Sequence, residues 1–158
     1  MALLYSFDTS SLLNGRRDLL PPEVFRTLWE NIEEMITAGS IRAVDVVRDE
    51  LTRRDDVVKA WALAQHDLFV ELQADIQHAT RQVLAGHPKL MGKGGGRNAA
   101  DPFVIGLAHA RGGVVVTEET LSGNIAKPRI PDVCNAVGVR WLTLVGFVRE
   151  QCWTYCRK

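Results

Sequence analysis

The sequence predicts an α/β domain around a mainly parallel sheet of about five strands, on three observations. Short apolar runs rich in Val and Ile recur along the chain, at residues 1–7, 41–44, 114–117 and 139–144. These runs are mostly apolar and show no strict alternation with polar residues, as expected of strands largely buried on both faces. Between them lie longer segments with apolar residues at helical spacing, the alternation that gives parallel strands with crossover helices.

The chain has 158 residues, which suits one domain (residues 1–158), and it is 46% hydrophobic and 24% charged, which argues against disorder. No apolar run reaches the roughly 20 residues of a membrane span. The amino terminus MALLYSFDTS lacks a basic region and a long apolar stretch, so a cytoplasmic location is expected. Three cysteines, Cys134, Cys152 and Cys156, are expected to be reduced; the last two would share one helical face without zinc-site spacing. Lys plus Arg and Asp plus Glu both number 19, so no global positive field advertises nucleic acid, although a local patch is compatible with it.

Met1–Phe7 reads as a buried strand ending in Asp8-Thr9-Ser10. Asn14-Gly15 is turn-like, and Pro21-Pro22-Glu23 opens a helix whose apolar positions Val24, Phe25, Leu28, Ile32, Met35 and Ile36 run to Gly39. Ile41–Val44 is the second strand, and Asp45 caps a helix in which Glu50 lies beside the apolar stripe. Val57–Ala64 is helical, Leu68–Leu72 is read as a short strand, and Ala74–Gly86 is a helix with its stop signals. The stretch KLMGKGGGRNAAD at 89–101 is a basic, glycine-rich loop; no Lys-Ser/Thr pair follows its glycines, which argues against a nucleotide phosphate loop. Asp101 is expected to cap a helix with Pro102 as its first residue, ending at Gly112-Gly113 before the strand Val114–Thr117. A short helix at Asp132–Val137, a strand at Val139–Leu144 and a terminal helix at Val145–Tyr155 complete the pattern.

Acids recur where this pattern places the functional edge of the sheet. Asp8 and Glu119 leave two strand ends, Asp101 opens the helix feeding the second of these strands, and Glu50 follows the strand between. Crowded carboxylates need a cation to stay ionised, and hard oxygen ligands suit Mg²⁺ or Mn²⁺, which bridge to phosphate. That implies a metal-dependent phosphodiesterase site. Simpler roles are open at each position: a helix cap at Asp8 and Asp101, a solvated helix residue at Glu50 beside Arg53 and Arg54, and a polar turn at Glu118-Glu119. If the crowding is real, removing Asp8 from the metal-free protein should relieve repulsion and raise its stability.

Four segments carry a family resemblance: FDTSSLL at Asp8, VVRDEL at Glu50, ADPFVIGLA at Asp101 and VVTEE at Thr117-Glu118-Glu119. In this series the chain resembles the PIN-domain proteins, a nuclease family that includes the toxins of many bacterial toxin–antitoxin pairs. IPDVCNAVGVRWLTL, residues 130–144, further resembles a less-studied PIN-like branch. The resemblance implies a three-layer α/β/α sandwich, a Mg²⁺- or Mn²⁺-dependent endoribonuclease, metal ligands at Asp8, Glu50, Asp101 and Glu119, a homodimer and a protein antitoxin. Glu119 stands where most members carry Asp, which leaves Glu118 and Asp132 as alternative fourth acids. Strand alternation favours Glu119 facing the site with Thr117, and Glu118 facing away.

Thr9 and Thr117 are read as positioning ligands or phosphate oxygens, and Lys93 and Arg97, with Arg16, Arg17, Lys127 and Arg129, as a basic rim for RNA phosphates. The histidines at 66, 78, 87 and 109 show no ligand spacing. Two other readings stand beside the nuclease. One is a degenerate PIN-like domain that binds RNA or a protein without cleavage. The other is a haloacid-dehalogenase-type phosphatase with Asp8 as nucleophile, although that family has a second Asp where Ser10 stands.

Overall fold

The structure, a computed structural model, describes residues 2–54, 56–91, 99–124 and 126–157. Five short strands, β1 (Tyr5–Phe7), β2 (Ile41–Val44), β3 (Phe69–Val70), β4 (Val114–Val116) and β5 (Arg140–Leu142), form one sheet in the order β3-β2-β1-β4-β5. All four pairings are parallel, with Phe7 opposite Val116 and Val116 opposite Leu142. The chain winds outward from β1 through β2 to β3, then crosses back to lay β4 on the other side of β1. The order therefore reverses between β1 and β4, and an open parallel sheet forms its crevice beyond the carboxyl ends of the strands at such a point.

Helices cover both faces, giving the three-layer α/β/α PIN-like architecture. They are α1 (Thr9–Asn14), α2 (Arg26–Ala38), α3 (Asp45–Arg54), α4 (Asp56–Ala64), α5 (Ala74–Gly86), α6 (Asp101–Arg111), α7 (Ile130–Val137) and α8 (Leu144–Glu150). Side-chain alternation along β1 shows the layering directly. Ser6 turns to one face, where its hydroxyl donates to the Val104 carbonyl of α6 at 2.8 Å. Tyr5 and Phe7 turn to the other and meet Phe147 of α8 edge to face, at 4.8 and 5.3 Å between ring centres. The central strands β1 and β4 are buried throughout and β2 is buried except at Arg42, whereas the edge strands β3 and β5 are only partly covered.

Several local expectations shift. Gly15 makes no turn: α1 runs directly into a π-helical segment, Gly15–Leu19, and Gly15 packs against Trp29 and Leu144, where a side chain would collide with Leu144. The second helix begins at Arg26, after a turn at Pro22–Val24, because Pro21 and Pro22 are spent on that turn. Val24 is consequently 69% exposed, and Trp29 takes a core position instead. The last helix stops at Glu150, with Cys152 at φ 59°, so Cys152 and Cys156 share no helical face; both are exposed, and Cys134 alone of the three is buried. Among the described residues no helix is long and apolar enough to cross a membrane.

The close pairing of α5 and α6 sets where α6 begins. A Cβ added at Gly106 would lie 2.1 Å from Thr80 Oγ1 and 3.1 Å from both the Thr80 Cβ and its backbone nitrogen. Backbone and a β-branched side chain cannot both give way, so Gly106→Ala is expected to push the helices apart and destabilise the fold by about 1–3 kcal/mol, despite the better helix propensity of Ala. An unchanged denaturation midpoint for this variant would show that the α5–α6 contact is looser than drawn.

Candidate metal-dependent phosphodiesterase site

At the reversal point of the sheet β1 ends in Asp8, which is buried and serves as the N-cap of α1. Its Oδ1 accepts the Thr9 N–H at 2.7 Å, and its Oδ2 accepts the hydroxyls of Ser10 at 2.7 Å and Thr117 at 3.0 Å. Each hydroxyl in turn accepts a backbone N–H from the turn after β4: Glu118 N–H reaches Ser10 Oγ at 3.0 Å, and Glu119 N–H reaches Thr117 Oγ1 at 3.1 Å. Two short relays thus tie the strand-end turn to one carboxylate. Burial raises the Asp8 pKa, and these hydrogen bonds oppose the shift without cancelling it.

Glu50, on α3, is fixed from two sides. Its Oε2 accepts the Thr9 hydroxyl at 2.5 Å, and its Oε1 accepts the Ala100 N–H at 3.2 Å, at the amino end of α6. Asp101 is the first residue of α6 and not its cap; Ala100 occupies the cap position, and the helix starts without a side-chain cap. Although only 5% exposed, Asp101 accepts no hydrogen bond among the described residues. Burial, followed by the charges of Asp8, Glu119 and Glu50, pushes its pKa up to about 10. Glu119 is raised to about 7, first by burial and next by Asp8, while the Ile130 N–H on its Oε2 at 3.1 Å and the charge of Arg129 pull the other way. The four acids picked out in the sequence therefore act on one another electrostatically, with Asp8 and Asp101 buried and Glu50 and Glu119 half-buried.

The neighbouring glutamate has a different task. Glu118 Oε1 accepts the Leu144 N–H at 2.7 Å, at the start of α8, so it faces away from the cluster as strand alternation suggested. Asp132 is also occupied: it accepts the backbone N–H groups of Arg129 and Ser122 and the Ser122 hydroxyl, which fold the 119–132 loop onto α7. Thr9 and Thr117 act on carboxylates, since each donates its hydroxyl proton to an acid.

The basic rim is thinner than the sequence suggested. Lys93 and Arg97 lie outside the described residues. Arg16 stacks on the rings of Trp29 and Trp61, 4.7 and 4.2 Å from their centres, and burial lowers its pKa to about 10. Arg17 lies 3.7 Å from Asp18. Arg129 stays beside Glu119, its Nη1 donating to the Thr120 hydroxyl at 3.1 Å.

Two participants went unread in the sequence. The sequence reading gives Ser10 no role in the site, although an Asp-x-Ser sequence at a strand end is a signal for a hydroxyl folded back on the acid. Cys134, read only as a structural thiol, lies on α7 under the cluster; burial and the charges of Asp8 and Glu119 raise its pKa to about 12.

Oxygen donors of this kind fit a hard divalent cation, which binds through one or two carboxylates and keeps several waters. Among the described residues no group of three or more His, Cys, Asp or Glu side chains is arranged to hold a metal ion as the side chains stand.

A family model described as a domain of unknown function, DUF4411, matches residues 5–155. The chain belongs to the DUF4411 family. No curated protein matches it. Among solved structures, this DUF4411 chain is similar to DNA-bound VapBC from Salmonella typhimurium, with 17% identity, a TM-score of 0.54, and coverage of 90% of this chain and 98% of that one. FitAcB from Neisseria gonorrhoeae gives 16% and 0.54 over 90% and 99% of the two chains. VapBC2 from Rickettsia felis, bound to a DNA fragment from its promoter, gives 13% and 0.52 over 89% and 98%. These likenesses establish the fold.

The raised acids set a pH dependence for the metal-free protein. A carboxyl whose folded pKa exceeds its unfolded value binds more protons in the folded state, so stability is full below the unfolded pKa and falls as pH rises. The window is from about 4 to about 7 for Glu119 and on to about 10 for Asp101. In chelator the melting temperature is expected to fall between about pH 5 and about pH 8, and to fall less in Asp101→Asn, which removes one of the three raised groups. Equal slopes in the two proteins would remove Asp101 from the cluster. For Asp8 the structure reverses the sequence-based expectation, because Asp8→Ala would strand three donors and remove a helix cap; it is expected to cost at least about 1 kcal/mol.

Proposed function

We propose that this protein is a Mg²⁺- or Mn²⁺-dependent endoribonuclease and the toxin of a toxin–antitoxin pair. The observation that supports this most is Asp101, a buried carboxyl without a hydrogen-bond partner among the described residues, grouped with three other acids at the reversal point of a parallel sheet. Ionised, a carboxyl in that setting is unfavourable unless a cation completes it, and without one it keeps its proton. Asp8, Glu50, Asp101 and Glu119 would hold the ion. Bound there, it would neutralise phosphate charge and act as a Lewis acid.

The chain's own groups have separable roles. Thr9, Ser10 and Thr117 orient carboxylates through their hydroxyl protons, so Asp8 and Glu50 present fixed oxygens. Glu119 keeps Oε2 on the Ile130 N–H, and its Oε1 has no partner among the described residues. That oxygen would be open to the ion or to a proton of the water that attacks phosphorus as the bond to the leaving oxygen breaks. An antitoxin partner and a homodimer are what the family resemblance implies, and the VapBC and FitAcB complexes support the antitoxin.

A binding-only reading has one observation in its favour: both Glu50 oxygens already serve protein donors. Incubating the purified protein with total RNA and with DNA, in Mg²⁺, Mn²⁺ or chelator, separates the two. Cleavage is expected with metal and RNA, and RNA bound but intact under all conditions would establish binding alone. Asp101→Asn is expected to abolish cleavage while leaving the fold intact, and an active Asn variant would remove the ligand role. Glu119→Gln should impair cleavage by roughly 100-fold or more, the scale of a lost acid–base group. Glu118→Gln instead weakens the cap on α8 and should leave the cleavage rate close to wild type. Equal rates for the two variants would put the fourth acid elsewhere.

A further inference from the structure

Four clustered acids, two of them buried and two half-buried, repel an incoming nucleic acid, so the substrate needs a cationic foothold close to the cluster. Of the six basic residues that the sequence offered for this purpose, two lie outside the described residues, Arg16 is held between indole rings, and Arg17 lies beside Asp18. Lys127 is exposed, with no side-chain contact that ties it to the acids.

Arg129 is different, because the backbone builds it into the site. Its own N–H donates to Asp132 Oδ2 at 2.8 Å, and the next N–H, of Ile130, donates to Glu119 Oε2 at 3.1 Å. The residue is thus clamped between the loop's anchor and the fourth acid. Its side chain folds back so that Nη1 donates to the hydroxyl of Thr120, the residue after Glu119. Among the described residues the guanidinium forms no ion pair, unlike Arg111 with Asp75 and Arg140 with Glu150. One of its five N–H donors is engaged, and the rest point to no acceptor among the described residues on an exposed side chain.

Resting on the nuclease reading, we infer that Arg129 is a substrate-binding residue that grips a backbone phosphate of single-stranded RNA next to Glu119. A guanidinium fork matches two phosphate oxygens at once, and the Thr120 hydroxyl and backbone clamp limit the rotamers it must give up on binding. The contact is to the backbone and carries no base identity, so it serves every sequence equally.

The test uses the full-length protein and a mixed-sequence single-stranded RNA oligonucleotide. Arg129→Ala and Arg129→Lys are compared with wild type for cleavage kinetics in Mn²⁺, and for RNA binding against salt in the Asp101→Asn background. For Arg129→Ala the expected result is a KM raised roughly tenfold, with the loss falling on KM more than on kcat, and a salt slope reduced by about 1. Lysine should restore the salt slope but only part of the KM, since it keeps the charge and loses the fork. An unchanged KM and salt slope in a wild type that cleaves RNA would overturn the role of Arg129 alone. A lowered melting temperature with an unchanged slope would overturn it in favour of loop closure. A wild type that neither cleaves nor binds the RNA would overturn the nuclease reading itself.

Discussion

The burial of one carboxylate, Asp8, at the point where the sheet reverses direction organises the rest of the carboxyl edge. An acid in that position is costly unless donors surround it. The chain supplies a helix N–H from Thr9 and hydroxyls from Ser10 and Thr117, and through these hydroxyls it recruits the next two backbone N–H groups, of Glu118 and Glu119. Satisfying Asp8 therefore also dictates the path of the chain after β4. That path aims Glu119 inward and Glu118 at the start of α8.

A second constraint operates from the opposite side. Glu50 spans the first turn of α1 and the first N–H of the α6 start, so three elements distant in sequence share one side chain. The tight crossing of α5 and α6 at Gly106 holds α6 in place along its length. Asp101 is thereby delivered to the cluster by backbone packing alone, and it arrives without a donor among the described residues. The pattern is one of unequal treatment: three acids are hydrogen-bonded by the protein, and the fourth is left for something else. Such local disagreement between burial and polar satisfaction is where function is expected to reside.

Much of the fold was legible along the chain because parallel strands buried on both faces must be continuously apolar, and because amphipathic helices must repeat at their own period. Ile41–Val44 and Ala74–Gly86 appear with the boundaries expected. The errors have physical causes. Two adjacent prolines at 21–22 read equally well as a helix opener or a turn, and the packing of Trp29 against Gly15 decides for the turn. The terminal helix reads too long, since its polar residues carry no stop signal before Glu150; the chain leaves helical geometry at Cys152, in the left-handed region.

The candidate site divides along the same line. The sequence by itself determined the acids at strand and helix ends, since only there can a charged residue follow a buried run without being buried within it. That Glu118 and Glu119 face opposite ways agrees with the strand-alternation expectation, but β4 ends at Val116 and the turn held by Ser10 and Thr117 decides it. Only the tertiary structure decided that Asp8, Glu50, Asp101 and Glu119 share one environment. Strand order is set by long-range packing and leaves no local trace in composition or spacing. The structure likewise decided that Ser10 belongs to the acid network, that Asp132 anchors a loop, and that Arg129 and not Arg16 lies beside the acids. Each of those assignments depends on which partner a side chain meets across at least two elements, and no single stretch of sequence contains both halves of such a contact.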